Sequence, residues 1–299
     1  MEASKRRPTY QVIDGDNVSI QILPDIYRQA LKFVPENGDI VQTTFPRCGS
    51  HWVQQIIQLI LNKGESAKTF AELAKRAPFI EFSGELSNSS PRLIRTHLPL
   101  GKIQFNDKAK YVYVARNPWD CCLSMFYFLR ELPGLNFEDG LFDDCVDSFI
   151  EGTTGGGDWF QHVLSGYKLK DQPNVFFVTY EGLQANTADV VLRLAFFLGE
   201  EYGLMLQKDR QVFYSVLEKC SFSYMKTFMK TDTHEIMNLF VNNPSVETQS
   251  DKPVEVKIVR NGNVGDWKEH FTDENIAKMR AKIEDTFKGV DVMSLWKDM

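Results

Sequence analysis

No apolar run in this 299-residue chain approaches the ~20 residues that a membrane-spanning helix needs, so no membrane partner is expected. The opening Met1-Glu2-Ala3-Ser4-Lys5-Arg6-Arg7-Pro8 has basic residues but no apolar stretch behind them, and lacks the pattern of a secretory leader. Glu2 excludes N-myristoylation, and Lys297-Asp298-Met299 offers no cysteine for prenylation. Excess positive charge is missing as well. Lys and Arg number 34 against 40 Asp and Glu, a formal net charge of −6. Such a chain is a poor general ligand for nucleic acid, and an anionic ligand must be held by local cations. Cysteines number five, none with metal-ligand spacing. Free thiols in a reducing compartment, the cytoplasm, are therefore expected, with no metal. Two phosphate signatures are absent, G-x-x-x-x-G-K-[ST] and a G-x-G-x-x-G that follows a strand. An ATP- or GTP-hydrolysing P-loop and a dinucleotide cofactor are thereby disfavoured.

What the chain does contain is globular in proportion. Hydrophobic residues make up 43% and charged residues 25%, which argues against disorder or a fibre. Short β-rich runs alternate with helical patterns, as in a mostly parallel sheet covered by helices. Ile40 to Phe45 predicts the first strand. Trp52 to Leu61 predicts a helix, because Trp52, Val53, Ile56, Ile57 and Ile60 follow a 3.6-residue period. Leu93 to Thr96, Tyr111 to Ala115 and Val175 to Tyr180 predict three further strands. The run from Tyr111 is nearly all apolar, as a strand buried on both faces should be. Helices are expected from Pro118 or Trp119 into Phe128, and near Ala188 to Leu198. With no repeat and no clear linker, residues 1–299 read as one α/β domain with a phosphate-binding turn. Residues 1–20 are expected to be flexible, with Lys5-Arg6-Arg7 a frayed, solvated end. Glu131 to Asp144 and Thr231 to Lys257 read as mobile loops, the second placed over the site.

Ligands of an open α/β sheet sit beyond the carboxyl ends of its strands. Those ends carry Pro46-Arg47-Cys48-Gly49-Ser50-His51, then His97, then Arg116, then Tyr180. The first is a tight strand-to-helix turn. Unpaired N–H groups at the helix start carry partial positive charge, Gly49 gives backbone freedom, Ser50 a hydroxyl and Arg47 a full charge. The turn is an anion cradle. Cys48 reads as a small residue that fits it.

Phe45-Pro46-Arg47-Cys48-Gly49-Ser50-His51-Trp52 resembles the Tyr-Pro-Lys-Ser-Gly-Thr-Thr-Trp element of the cytosolic sulfotransferase family. Arg95-Thr96-His97-Leu98-Pro99 resembles its Lys-Thr-His-Leu-Pro element. Tyr113 to Asn117, running on to Ser124, resembles its second nucleotide element. Arg260-Asn261-Gly262-Asn263-Val264-Gly265-Asp266-Trp267-Lys268 resembles its Arg-Lys-Gly-x-x-Gly-Asp-Trp-Lys element. The four run in family order over roughly three quarters of the chain, and their joint occurrence is far more specific than any one.

The resemblance implies a donor, 3′-phosphoadenosine 5′-phosphosulfate (PAPS), a small hydroxyl or amine acceptor, and no metal. By motif position, Arg47, Cys48, Gly49, Ser50 and His51 would surround the 5′-phosphosulfate. Arg116, Ser124, Arg260, Asn261 and Gly262 would hold the 3′-phosphate, with Ser221 beside them. Trp52 and Phe222 would stack on the adenine, with Tyr180 nearby. His97 would be the general base, with Arg95 and Arg47 as its catalytic cations. Phe79 would line the acceptor pocket, and His162 is expected to be structural.

Departures from the pattern are specific. Arg47 and Arg95 stand where the family has Lys; a guanidinium keeps its proton, so Arg47 is expected to clamp charge and not to act as an acid. His51 replaces Thr and Asn261 replaces Lys. Of the family's dimer element Lys268 and Thr272 fit, but Asp273 and Ala277 do not, which predicts a monomer or weak homodimer. The aromatic content favours a phenolic acceptor, catecholamine-like, with steroids and alcohols open. Rival readings are a nucleotide-binding homologue with impaired catalysis and a P-loop small-molecule kinase.

Overall fold

A computed structural model describes residues 6–84, 86, 90–132, 134–241 and 252–297. Strands β1 (Tyr10–Ile13) and β2 (Asp16–Ser19) form an antiparallel hairpin. Asp14 and Gly15 both take positive φ, 52° and 91°, the conformation a two-residue hairpin turn requires. The main sheet is built from β3 (Ile40–Thr44), β4 (Leu93–Thr96), β5 (Lys110–Ala115) and β6 (Val175–Thr179). Its order is β4-β3-β5-β6 and every pairing is parallel. A small antiparallel ribbon joins β7 (Thr231–Asp232) to β8 (Glu255–Val256).

Both faces of the main sheet are covered, and β5 shows how. Tyr111, Tyr113 and Ala115 enter one apolar cluster, while Val112 and Val114 enter the other. That is the period-2 alternation of a strand, written in residues apolar on both sides. The Ser50–Leu61 helix seals the second cluster through Val53, Ile56, Ile57 and Ile60. Burying a side chain of that size stabilises by roughly 1.5–3 kcal/mol, so this helix is anchored along its length. Its first turn is held at the carboxyl end of β3.

Three stretches that read as loops or a flexible end carry contacts or regular structure. The N-terminal segment is tied down from Arg6 onward: Arg6 reaches Asp139, Arg7 reaches Glu151, and Thr9 N–H donates to Leu135 O at 2.7 Å. Residues 1–5 lie outside the described residues. The 131–144 stretch is packed, because Leu135 and Phe137 are buried and a helix begins at Phe142. The 231–257 stretch holds β7, β8 and the Thr233–Phe240 helix between them. Residues 242–251 lie outside the described residues.

Candidate functional site

The four strand ends meet at one edge. The turn after β3 is braced from below: Gln42 Nε2 donates to Ser50 O at 2.7 Å, and the Thr44 and Ser50 hydroxyls bond at 2.6 Å. Arg47 and Gly49 both take positive φ, 69° and 97°. Gly49 does so at little cost, whereas Arg47 is a strained residue of the kind that clusters at functional sites. Its guanidinium is fixed on three sides. Nε donates to Ser124 Oγ at 3.1 Å, Nη2 donates to Ile258 O at 3.1 Å, and the group lies 4.4 Å over the Phe128 ring. Burial, with Arg116 beside it, lowers its pKa to about 10, which still leaves it charged at neutral pH.

A cavity of about 720 Å³ opens over this turn. Arg47, Gly49, Ser50, His51, Trp52, Arg116, Ser124, Tyr180, Ser221, Phe222, Arg260, Asn261 and Gly262 all line it. Cys48 does not. Its thiol is buried 3.7 Å from Cys121 Sγ and its N–H is spent on Phe45 O, so it only fills space under the turn. Arg116 is buried, donating to Arg47 O and Asn263 O, with Tyr180 4.4 Å beneath it. Its Nε has no partner among the described residues. A buried cation without a carboxylate is costly unless an anion joins it, and this one borders the cavity.

The far wall is a loop, Arg260 to Gly265. Asp120, at the start of the Pro118–Glu131 helix, accepts from Gly265 N–H at 2.8 Å and Trp267 N–H at 3.2 Å. Arg260 and Asn261 both reach Asp266, and Trp119 stacks on Trp267. Gly262 takes φ 70°, and a Cβ there would meet the Phe222 ring at 2.7 Å. The main chain thus approaches the Phe222 ring more closely than a side chain at 262 would allow. Trp52 donates from Nε1 to Cys220 O and sits edge-on to Tyr180. Ser221 instead caps the Phe222–Phe228 helix through its hydroxyl.

On the other side of the turn a second cavity, of about 520 Å³, is lined by Phe79, Phe82, Phe128, Phe240 and Met125, among others. The two cavities share one partition: Pro46, Arg47, His51, His97, Phe128 and Ile258. His97 is the telling member. Its Nδ1 lies 2.7 Å from Thr44 O, which can only accept, so Nδ1 carries the proton and Nε2 carries the lone pair. Burial pushes its pKa down to about 4, with Arg95 and Arg47 adding to the effect. The ring rests 4.4 Å from Phe79. Its backbone N–H donates to Glu81 Oε1 at 2.5 Å, and burial raises that carboxyl to about 7.

Arg95 stands apart from the other site candidates. It is fully buried and lines neither cavity. Its guanidinium donates to the carbonyls of Ala77 and Ala74, stacks 4.2 Å over Phe79, and donates to His51 Nδ1 at 3.0 Å. It braces the partition from behind. His51 lines the cavity, but its Nδ1 is committed to Arg95 and its ring packs among Phe70, Phe79 and Phe240. Burial holds it neutral, well below an ordinary imidazole. His162 is buried and bonds Tyr113 OH at 2.6 Å, as a structural residue would. Among the described residues no group of three metal-ligating side chains converges, and no helix is long and apolar enough to cross a membrane.

Residues 37–291 match the sulfotransferase domain family. The chain belongs to that family. It is a PAPS-dependent sulfotransferase, moving a sulfuryl group to a hydroxyl or amine of a small acceptor. It is 31% identical over 259 residues to a 3-alpha-hydroxysteroid sulfotransferase of Cavia porcellus, covering 83% of this chain and 84% of that one. It is 28% identical over 296 residues to sulfotransferase 1C2 of Oryctolagus cuniculus, covering 94% of each. Mouse sulfotransferase SULT7A1, solved as a complex with PAP, shares the fold with TM-score 0.69 at 21% identity, over 96% of this chain and 97% of that one. Retinol dehydratase, solved with androsterone and PAP, gives 0.72 at 19% identity, over 95% and 91%. Sequence reasoning missed Glu81, which lines the second cavity, and Asp120 and Glu181, which line neither cavity and position groups near them. Glu181 accepts from Asn117 and Trp296, fixing the corner after β5.

Proposed function

We propose that this sulfotransferase acts on a phenolic or similarly flat hydroxyl acceptor, with His97 as general base. The supporting observation is the Thr44–His97 bond, which turns the unprotonated Nε2 away from the strand at the partition common to both cavities. The donor supplies the sulfuryl group and a nucleotide-phosphate leaving group. Everything else falls to the chain. His97 Nε2 takes the acceptor's hydroxyl proton. Arg47, clamped to Ser124, Ile258 and Phe128, presents a fixed cation on the donor side, and such preorganised charge is commonly the largest catalytic term. Arg116 and Ser124, with Arg260, Asn261 and Gly262, take the 3′-phosphate. Arg116 Nε is the orphaned donor that this anion would satisfy. Trp52 and Phe222 take the adenine. Phe79, Phe82, Phe128 and Phe240 supply flat apolar walls on the acceptor side. The chain is read as cytoplasmic and as a monomer or weak homodimer.

The test is transfer of labelled sulfate from PAPS to a panel of phenols, alcohols and amines. Transfer to phenols is expected. Donor binding with no transfer to any acceptor would reverse the reading in favour of a catalytically impaired homologue.

A further inference from the structure

The acceptor cavity has a second wall, separate from the partition that carries His97. It is made where the β1–β2 hairpin meets the glycine-rich loop 152–157. Asn17 Nδ2 donates to Gly152 O at 3.1 Å, and Gly155 lies so close to Ser19 that a Cβ would stand 3.2 Å from its Cα. Gly156 is pressed against Pro46 in the same way, at 3.0 Å. The seam therefore runs from the hairpin to the partition.

Two polar side chains on this seam lack partners. Gln21 and Thr154 are each 5% exposed and both line the cavity. Gln21 Oε1 accepts from Ser19 Oγ at 3.4 Å, but its Nε2 has no hydrogen-bond partner among the described residues, and neither does Thr154 Oγ1. A buried amide or hydroxyl left unpaired is costly, so such groups normally have a partner. Gln21 Nε2 offers only hydrogens, and Thr154 Oγ1 offers one. Gln21 Nε2 therefore needs a hydrogen-bond acceptor atom, and the Thr154 hydroxyl can donate to one or accept from a hydroxyl.

We propose that Gln21 and Thr154 form a specificity subsite for an oxygen on the acceptor molecule, a carbonyl or hydroxyl separate from the hydroxyl that faces His97. The substrate class is thus a hydroxyl compound with a second oxygen function. This rests on the sulfotransferase reading and deepens it. A site built to bond an oxygen discriminates strongly against the analogue without it, because its own donors are then left unpaired.

The experiment uses the full chain and matched probes, 4-hydroxybenzophenone against 4-benzylphenol and 4-hydroxyacetophenone against 4-ethylphenol. Each pair differs by one carbonyl. Binding is measured by calorimetry on protein saturated with 3′,5′-ADP, and turnover is measured with PAPS. In at least one pair the ketone should be favoured tenfold or more, in Kd and in kcat/KM. In the Gln21→Leu/Thr154→Val variant that ratio should fall to about one, with 3′,5′-ADP affinity and the deoxy partner's Kd unchanged. A ratio near one in the unmodified protein for both pairs, or one that survives both substitutions, overturns the proposal. A binding preference without turnover upholds the subsite and counts against the catalytic reading. Single Gln21→Glu replaces a donor with a carboxylate of the same shape, and should reverse the preference even if the double variant is poorly folded.

Discussion

His97 Nδ1 donates to Thr44 O across the ends of β4 and β3, at 2.7 Å. The bond joins a side chain on one strand end to the main chain of its neighbour. The imidazole orientation is therefore set by the parallel pairing of the sheet, in which Thr43 stands opposite Thr96.

Replacing His97 with Ala should leave 3′,5′-ADP affinity within a factor of two and lower kcat by ~10²-fold or more, the usual contribution of a positioned base. Calorimetry and labelled-sulfate turnover read the two quantities. Unchanged turnover would remove His97 from the mechanism.

The pH profile follows from the same environment. An ordinary imidazole titrates near ~6.5, whereas His97 is pushed down to about 4. The base is therefore already free at pH 6, and kcat/KM should show no imidazole limb near 6.5. Glu81, raised to about 7, also titrates in this range, so the profile is best measured in Glu81→Gln as well. The stability linkage has a definite sign. The unfolded chain takes up a proton that folded His97 refuses, so its contribution is fully present above ~6.5 and is lost as pH falls towards about 4. His51 and His162, also held neutral by burial, add to the same slope, so the His97 part is read in urea melts as the difference between Glu81→Gln and Glu81→Gln/His97→Ala.

Arg47→Lys should lower kcat by tenfold or more and weaken 3′,5′-ADP binding by less. A lysine has no planar fork with which to reach Ser124 Oγ and Ile258 O together. Equal turnover in the two proteins would show that charge alone suffices.

Arg116→Lys should weaken 3′,5′-ADP binding by tenfold or more while barely changing the weaker affinity for 5′-AMP. The comparison is made in one titration series. Parallel losses for both nucleotides would place the 3′-phosphate elsewhere.

Gly262→Ala combines positive φ with a Cβ that would meet Phe222 at 2.7 Å. It should cost ~1–3 kcal/mol in local strain, seen as weaker nucleotide binding and faster amide exchange over 260–268. Unaltered exchange and affinity would show that this wall can move aside.

Much of this was legible in the chain. The four apolar runs announced a parallel sheet, and the residues just past them, Arg47, His97, Arg116 and Tyr180, all reach its edge. The β1–β2 hairpin was missed although Ile13-Asp14-Gly15-Asp16 carries its signal, an Asp-Gly pair between two short strands. The burial of Arg95 has no sign in the sequence, where it is simply a charge beside His97. In the fold it is sealed under Phe79, with backbone carbonyls in place of water. Asp120 and Glu81 gave no local sign, because their partners Gly265 and His97 are brought to them only by tertiary folding.

The shared partition has a further consequence for how such an enzyme can change. Phe240, the hairpin and loop 152–157 border the acceptor side and contribute nothing to the donor side. Mutations there can retune which molecule is modified without disturbing the reagent that modifies it. Substitutions in the six partition residues have no such freedom. New substrates should therefore be gained through the outer walls, while the dividing wall stays nearly fixed.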